Sequence, residues 1–86
     1  MGVMRTVSYT RDARRTLLKL PRPTAERIVS KIDQLAADPV SLVNNVKALK
    51  GGDGFRLRVG DYRVIYTETL IVLTIVKIGH RGGVYD

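Results

Sequence analysis

Cysteine and tryptophan are absent from this 86-residue sequence, which has a single histidine and a single phenylalanine. Without cysteine, the chain can form no disulfide framework, thiolate nucleophile or cysteine-ligated metal site. With one histidine, we expect neither a metal centre nor a small-molecule cofactor. No apolar run approaches the roughly 20 residues of a membrane span, and Met1 to Thr10 lacks the apolar core of a signal peptide. These absences predict a cytoplasmic protein that does not contact a membrane.

Acidic residues are scarce as well: eight Asp and Glu against fifteen Lys and Arg give a formal net charge of +7. Such an excess in a short chain favours a polyanionic partner, such as nucleic acid or an acidic protein. Basic residues also serve solubility alone, so the charge does not decide between these uses. The length and the hydrophobic content of 44% predict one folded domain, residues 1–86, with one modest core.

The N-terminal half predicts a strand and two helices. Loosely alternating β-branched and aromatic residues indicate a strand over Val3–Tyr9. Thr10 is suited to cap a first helix, Arg11–Leu20, whose short apolar face consists of Ala13, Leu17 and Leu18. Two prolines end this helix and begin a second, Pro23–Ala37. Spacings of three and four place its apolar residues on one stripe: Ala25, Ile28, Ile32, Leu35 and Ala36.

The C-terminal half predicts a three-stranded antiparallel meander with strands at Phe55–Val59, Tyr62–Thr67 and Leu70–Ile78. The dipeptides Gly60-Asp61 and Glu68-Thr69 are the predicted turns. Val40–Asp53 reads as a long connection with a short edge segment around Val46–Leu49. The fold class is therefore α+β, with the helical hairpin on one face of the meander and the other face left for binding.

Basic residues recur along this half of the chain. Because side chains of a strand alternate between two faces, Arg56 and Arg58 share one face. Lys47 and Lys50 flank the loop that enters the meander, where they either are simply solvated or bind RNA phosphates. We also assign Lys77, with Arg58, to RNA binding.

The sequence resembles the RelE/ParE superfamily of bacterial and archaeal toxins. The resemblance rests on FRLRVGDYRVIY, on the apolar strand after it, and on IGHRGGVYD, with the two-helix hairpin ahead of them. It implies a RelE-like fold and a toxin encoded beside an acidic antitoxin. Within the RelE branch it implies a ribosome-dependent endoribonuclease that cuts mRNA in the decoding site. The partners implied are the antitoxin, the ribosome and mRNA.

Cleavage of RNA through its own 2′-hydroxyl requires cations around the phosphate and groups that move two protons. Four arginines are candidates for the phosphate: Arg56, Arg58, Arg63 and Arg81. Arg63 and Arg81 match the arginines that similar RelE toxins use there. Arg56 falls where relatives place a catalytic lysine, and Gly54 where some have a second.

His80 is the side chain best suited to exchange a proton near neutral pH, and the alternative is a surface histidine at a strand end. Tyr85 matches a C-terminal tyrosine that in the family stacks on a base or assists proton transfer; the alternative is an aromatic cap on the core. Two other functions stay open at this point. One is a ParE-like inhibitor of DNA gyrase, and the other is an inactive toxin that serves as a corepressor with its antitoxin.

Overall fold

The computed structural model describes residues 4–83, which form one five-stranded sheet and two α-helices. In chain order the elements are β1 (Thr6–Tyr9), α1 (Arg11–Lys19), α2 (Arg22–Ala37), a 3-10 helix (Pro39–Asn45), β2 (Val46–Ala48), β3 (Phe55–Val59), β4 (Tyr62–Glu68) and β5 (Val72–His80). The spatial order of the strands is β1-β5-β4-β3-β2, with β1 parallel to β5 and the other pairs antiparallel. The predicted α+β class is confirmed. No helix within this range is long and apolar enough to cross a membrane.

The hydrophobic core lies between the helices and one face of the sheet. The helices contribute Ile28 and Ile32, and the strands contribute Leu57, Val64 and Ile75, all buried. Removing each such side chain from water stabilises the fold by roughly 1.5–3 kcal/mol. Both helices contribute to this one cluster, so within residues 4–83 neither of them packs on the other face of the sheet. We call that second face the open face.

Thr10 connects the start of α1 to the sheet. Its hydroxyl accepts a hydrogen bond from the Ala13 backbone N–H at 3.2 Å, as predicted for a cap, and donates one to the Val76 carbonyl at 2.6 Å. Val76 lies at a β-bulge, because Ile65 pairs with Lys77 whereas Tyr66 pairs with Ile75. The bulge interrupts the alternation of β5 side chains between the two faces of the sheet, so that Ile75 and Ile78, three residues apart, both face the core.

Two expectations about apolar residues are wrong. Leu18 does not belong to the packed face of α1, since it is 81% exposed while Ala13 is buried. The second hairpin turn lies at Leu70 and Ile71, which are 88% and 67% exposed, and not at Glu68-Thr69. The Thr69 hydroxyl accepts hydrogen bonds from the backbone N–H groups of Ile71 at 3.3 Å and Val72 at 3.0 Å.

The turn between β3 and β4 is the one predicted. Gly60 has a φ of 58°, and no non-glycine residue within residues 4–83 has a positive φ. A positive φ at the first central position alone is typical of a type II′ turn, which matches the twist of the two strands. This turn defines one end of the sheet, which we call the Gly60 end.

Alkaline pH should destabilise the fold through Tyr66. Burial, helped by the negative charge of Glu68, raises the pKa of Tyr66 from 10.0 to about 12, although Arg5 acts in the opposite direction. The folded state therefore favours the neutral phenol. Its stabilisation is complete below pH 10 and is lost as the pH rises towards about 12. We expect a loss of up to about 2 kcal/mol in the free energy of unfolding, measured by urea titration.

Tyr66→Phe should remove most of that alkaline loss. A smaller loss should persist, since burial also raises the pKa of Tyr9. An equally steep loss in Tyr66→Phe would contradict this role.

Candidate nucleic-acid interface

Five of the predicted basic residues lie on the open face. Cross-strand pairing places Lys47 opposite Arg56, Arg56 opposite Ile65, and Ile65 opposite Lys77. One row further along, Arg58 lies opposite Arg63. Opposite residues of an antiparallel pair point to the same side of the sheet. We call this group the basic face: Lys47, Arg56, Arg58, Arg63 and Lys77.

Two of these cross-strand pairs join like charges, Lys47 with Arg56 and Arg58 with Arg63. Like charges directly opposite each other on a sheet destabilise it. Within residues 4–83, no strand position on the open face carries a carboxylate. The arrangement is therefore unfavourable for folding and favourable for binding an anion.

Arg63 reaches from the basic face to the Gly60 end. Its Nη1 donates hydrogen bonds to the carbonyls of Gly60 and Tyr62, each at 3.1 Å. Arg81 follows β5, and its backbone N–H donates to the Asp61 carbonyl at 2.7 Å. Adjacent residues of one turn thus hold the Arg63 guanidinium and the Arg81 backbone. Both residues therefore lie at the Gly60 end, and their binding of a shared phosphate stays a prediction.

His80 reaches the same end from the other side of the sheet. It pairs with Tyr62, whose side chain packs against the core, and the two rings meet edge to face with centroids 5.4 Å apart. The imidazole is exposed and does not lie on the basic face. Its Nδ1 lies 3.1 Å from the Arg81 carbonyl oxygen. Because a carbonyl only accepts, the hydrogen bond requires a proton on Nδ1 and leaves Nε2 of the neutral ring as the acceptor.

At the β2 edge, the loop after β2 forms an open cavity of about 650 Å³. Lys47 and Arg56 line it from the strands, and Lys50 lines it from the loop. The loop also contributes one carboxylate, Asp53. Lys50 therefore extends the basic face beyond the sheet. Tyr85, the last predicted site residue, lies outside the described residues.

One cation at the Gly60 end was not predicted. The guanidinium of Arg27, on α2, lies against Gly60. The spacing of apolar residues in α2 places Arg27 on the solvent side of the helix, and it is exposed. The spacing of apolar residues shows which side of α2 faces the core, but not which turn lies beside the helix. The contact between Arg27 and Gly60 therefore could not be predicted from the sequence.

Comparisons with known proteins identify the family. The model for the ParE toxin of the type II toxin–antitoxin system parDE matches residues 7–85. The chain belongs to the RelE/ParE superfamily of type II toxins. A search of curated proteins finds no significant match.

Solved structures of this superfamily share the fold. The chain is similar to a chain of the RelBE2 toxin–antitoxin complex from Mycobacterium tuberculosis, with 30% identity, a TM-score of 0.78, and coverage of 92% of this chain and 100% of that one. It is similar to a chain of the RelE–RelB complex from Pyrococcus horikoshii, with 30% identity, a TM-score of 0.77, and coverage of 95% and 100%. A chain of the Escherichia coli DinJ–YafQ complex shares the fold alone, at 15% identity and a TM-score of 0.73 over 98% and 100%.

Breaking one like-charge pair should stabilise the toxin. Arg58→Thr removes the repulsion with Arg63, and we expect the free energy of unfolding to rise by about 0.2–1 kcal/mol at low salt. Screening by salt weakens repulsion between exposed charges, so the gain should shrink at high ionic strength. Urea unfolding at two salt concentrations measures both effects.

Lys77→Thr is the matched control, because Lys77 is an exposed cation of the same face but lies opposite the apolar Ile65. An equal gain in both variants would show that net charge, and not the pairing of Arg58 with Arg63, sets the stability.

Proposed function

We propose that this toxin inhibits translation by cutting ribosome-bound mRNA through the RNA's own 2′-hydroxyl. The observation that carries the proposal is that Arg63 and Arg81 both lie at the Gly60 end. The sheet face that leads to this end presents four further cations: Lys47, Arg56, Arg58 and Lys77. An RNA strand carries a phosphate at every nucleotide, which suits an extended row of guanidinium and ammonium groups. Arginine forks can bind two oxygens of one phosphate, which supports placing the scissile phosphate at the Gly60 end.

In this mechanism the 2′-oxygen attacks phosphorus, the new O2′–P bond forms, and the P–O5′ bond breaks. The 2′-hydroxyl gives its proton to a base, and the departing 5′-oxygen takes a proton from an acid or from water. Arg63 and Arg81 stabilise the charge that develops on the phosphoryl oxygens. A guanidinium does not serve as a base in proteins, so the contribution of Arg56 is its charge.

His80 is our candidate for proton transfer. In-line attack places the entering and leaving oxygens on opposite sides of phosphorus. A phosphate at the Gly60 end would have the basic face on one side and the exposed imidazole, on the helix side, on the other. Nε2 of the neutral ring would accept the 2′ proton. Tyr85, which the resemblance implicates in stacking or proton transfer, is the second candidate.

The proposed regulator is an acidic antitoxin that covers the basic face. The solved relatives named above come from toxin–antitoxin complexes. Negative side chains placed over Arg58 and Arg63 would relieve their repulsion, so binding would also stabilise the toxin.

A second function has its own support, because the family model that matches is that of ParE toxins. A ParE-like toxin would inhibit DNA gyrase by binding and would need no proton-transfer group. One experiment separates the two. Purified toxin is incubated with ribosomes carrying a defined mRNA, and cleavage is read by primer extension, while supercoiling by gyrase is measured in parallel.

Ribosome-dependent cleavage without an effect on gyrase supports the proposed function. Inhibition of gyrase without cleavage would replace it with the ParE-like one. If the toxin does neither and its complex with the antitoxin binds operator DNA, the chain is an inactive corepressor.

Loss of the Arg81 side chain should slow cleavage. Arg81→Ala removes a donor to the charged phosphoryl oxygens, and we expect the single-turnover rate at saturating ribosomes to fall on the order of 100-fold. Arg14→Ala, at an exposed arginine of α1, is the control for lost charge. Equal rates for Arg81→Ala and the control would argue against a phosphate contact by Arg81.

Substitution of His80 should change how the cleavage rate depends on pH. If the imidazole accepts the 2′ proton, part of the pH dependence of the single-turnover rate should come from His80. His80→Gln should slow the reaction and remove that part, because an amide can form hydrogen bonds but cannot take up the proton. A slower variant that keeps the same pH profile would transfer the role to Tyr85.

A further inference from the structure

We propose that Arg27 of α2 is a further RNA-binding residue, which holds a backbone phosphate next to the scissile one from the helix side of the Gly60 end. This inference rests on the proposed function, since it extends the same RNA path around the end of the sheet. It adds a contact from the helical layer to a site otherwise built from strands and their turns.

The guanidinium of Arg27 lies in the space where a side chain at Gly60 would begin. A Cβ atom at Gly60 would lie 3.0 Å from Nη2 of Arg27, 3.3 Å from its Cζ and 3.4 Å from its Nη1. None of these distances is longer than an ordinary van der Waals contact. The guanidinium of Arg27 therefore occupies the space that the Cβ atom of any other residue at position 60 would take. Gly60 therefore has two roles. Its φ of 58° forms the turn, and its lack of a side chain leaves space for the guanidinium of Arg27.

Arg27 and Arg63 flank Gly60. Arg63 donates to the Gly60 carbonyl at 3.1 Å, and Arg27 lies against the Gly60 Cα. Because one residue's own bonds span only a few ångström, the two guanidinium groups lie within roughly 10 Å of each other. That separation is about the Debye length at physiological ionic strength, so their positive potentials add at the Gly60 end.

The fold gives no compensation for placing Arg27 there. Its side chain is exposed, so it adds little to the core. Within residues 4–83 no carboxylate lies at ion-pair distance from its guanidinium. Asp61 is the acidic residue of the adjacent turn, and its carbonyl accepts from Arg81. The positive charge of Arg27 at this end is therefore available to an anion.

RNA fits this arrangement better than an acidic protein segment does. Arg27 of α2 and Arg63 of β4 place their guanidinium groups at one turn, and the backbone of Arg81, which follows β5, is hydrogen-bonded to the same turn. A nucleic-acid backbone offers phosphates in regular succession and can follow such a curved row of cations. His80, the proposed base, lies on the same helix side as Arg27, which places the neighbouring nucleotide along this route.

The test is the affinity of the toxin for ribosomes that carry a 2′-O-methylated mRNA, which cannot be cleaved through a 2′-hydroxyl. We expect Arg27→Gln to weaken binding on the order of tenfold, as for the loss of one charge-assisted hydrogen bond. The slope of log affinity against log salt should become shallower by about 0.7–0.9. Arg27→Lys should keep the slope but recover only part of the affinity, because ammonium lacks the planar fork.

Arg14→Gln is the control, since it removes the same charge from an exposed position on α1. Urea unfolding of each variant excludes a loss of fold as the cause. Equal affinity and slope for Arg27→Gln and wild type, or an equal loss in Arg14→Gln, would overturn the inference. Weakened binding of the antitoxin with unchanged binding of RNA would overturn it in favour of a protein contact. If wild-type toxin itself does not bind these ribosomes, the proposed function fails first, and this inference with it.

Discussion

The sheet of this toxin is covered by helices on one face only, and this constraint determines where every other feature lies. Once Leu57 and Val64 are committed to the helix side, the alternation of strand residues forces Arg56, Arg58 and Arg63 to the open face. The same apolar burial that stabilises the fold thus assembles the basic face. Core and site cannot shift independently, because a one-residue slip in register would exchange them.

The basic face is a local conflict between folding and binding. Opposing Arg58 with Arg63 costs stability in the free toxin, and the helix-side core has to offset that cost. An anion bound between Arg58 and Arg63 would reduce their repulsion. The loss of that repulsion would then contribute to the free energy of binding. Under the proposed function, RNA and an acidic antitoxin would relieve this repulsion in the same way and would therefore compete for the basic face.

Regular elements could be predicted from the sequence, and irregular ones could not. The predictions of alternating faces through Phe55–Val59 and of a turn at Gly60-Asp61 are correct, because no bulge interrupts the pairing of the two strands there. In β5 the nearly continuous apolar run gives no sign of the bulge at Val76, whose carbonyl accepts a hydrogen bond from Thr10, a residue distant in the sequence. Leu70 and Ile71 were assigned to a strand because they are apolar, yet side-chain capping by Thr69 makes them a turn. Contacts between distant segments, and not local propensity, decide these cases.

The candidate site also combines residues whose positions follow from the local sequence with residues whose positions depend on contacts between distant segments. Strand alternation predicts which residues share the basic face, but it cannot show that His80 reaches the Gly60 end from the other side. Nor can it show that Arg27 meets that end from a helix. Side chains that belong to opposite faces of a sheet can approach one ligand only where the sheet stops. In the proposed reaction the charge of the phosphate is neutralised from one side while the 2′-hydroxyl is deprotonated from the other. The Gly60 end, where Arg63 and His80 come from opposite faces, suits that division.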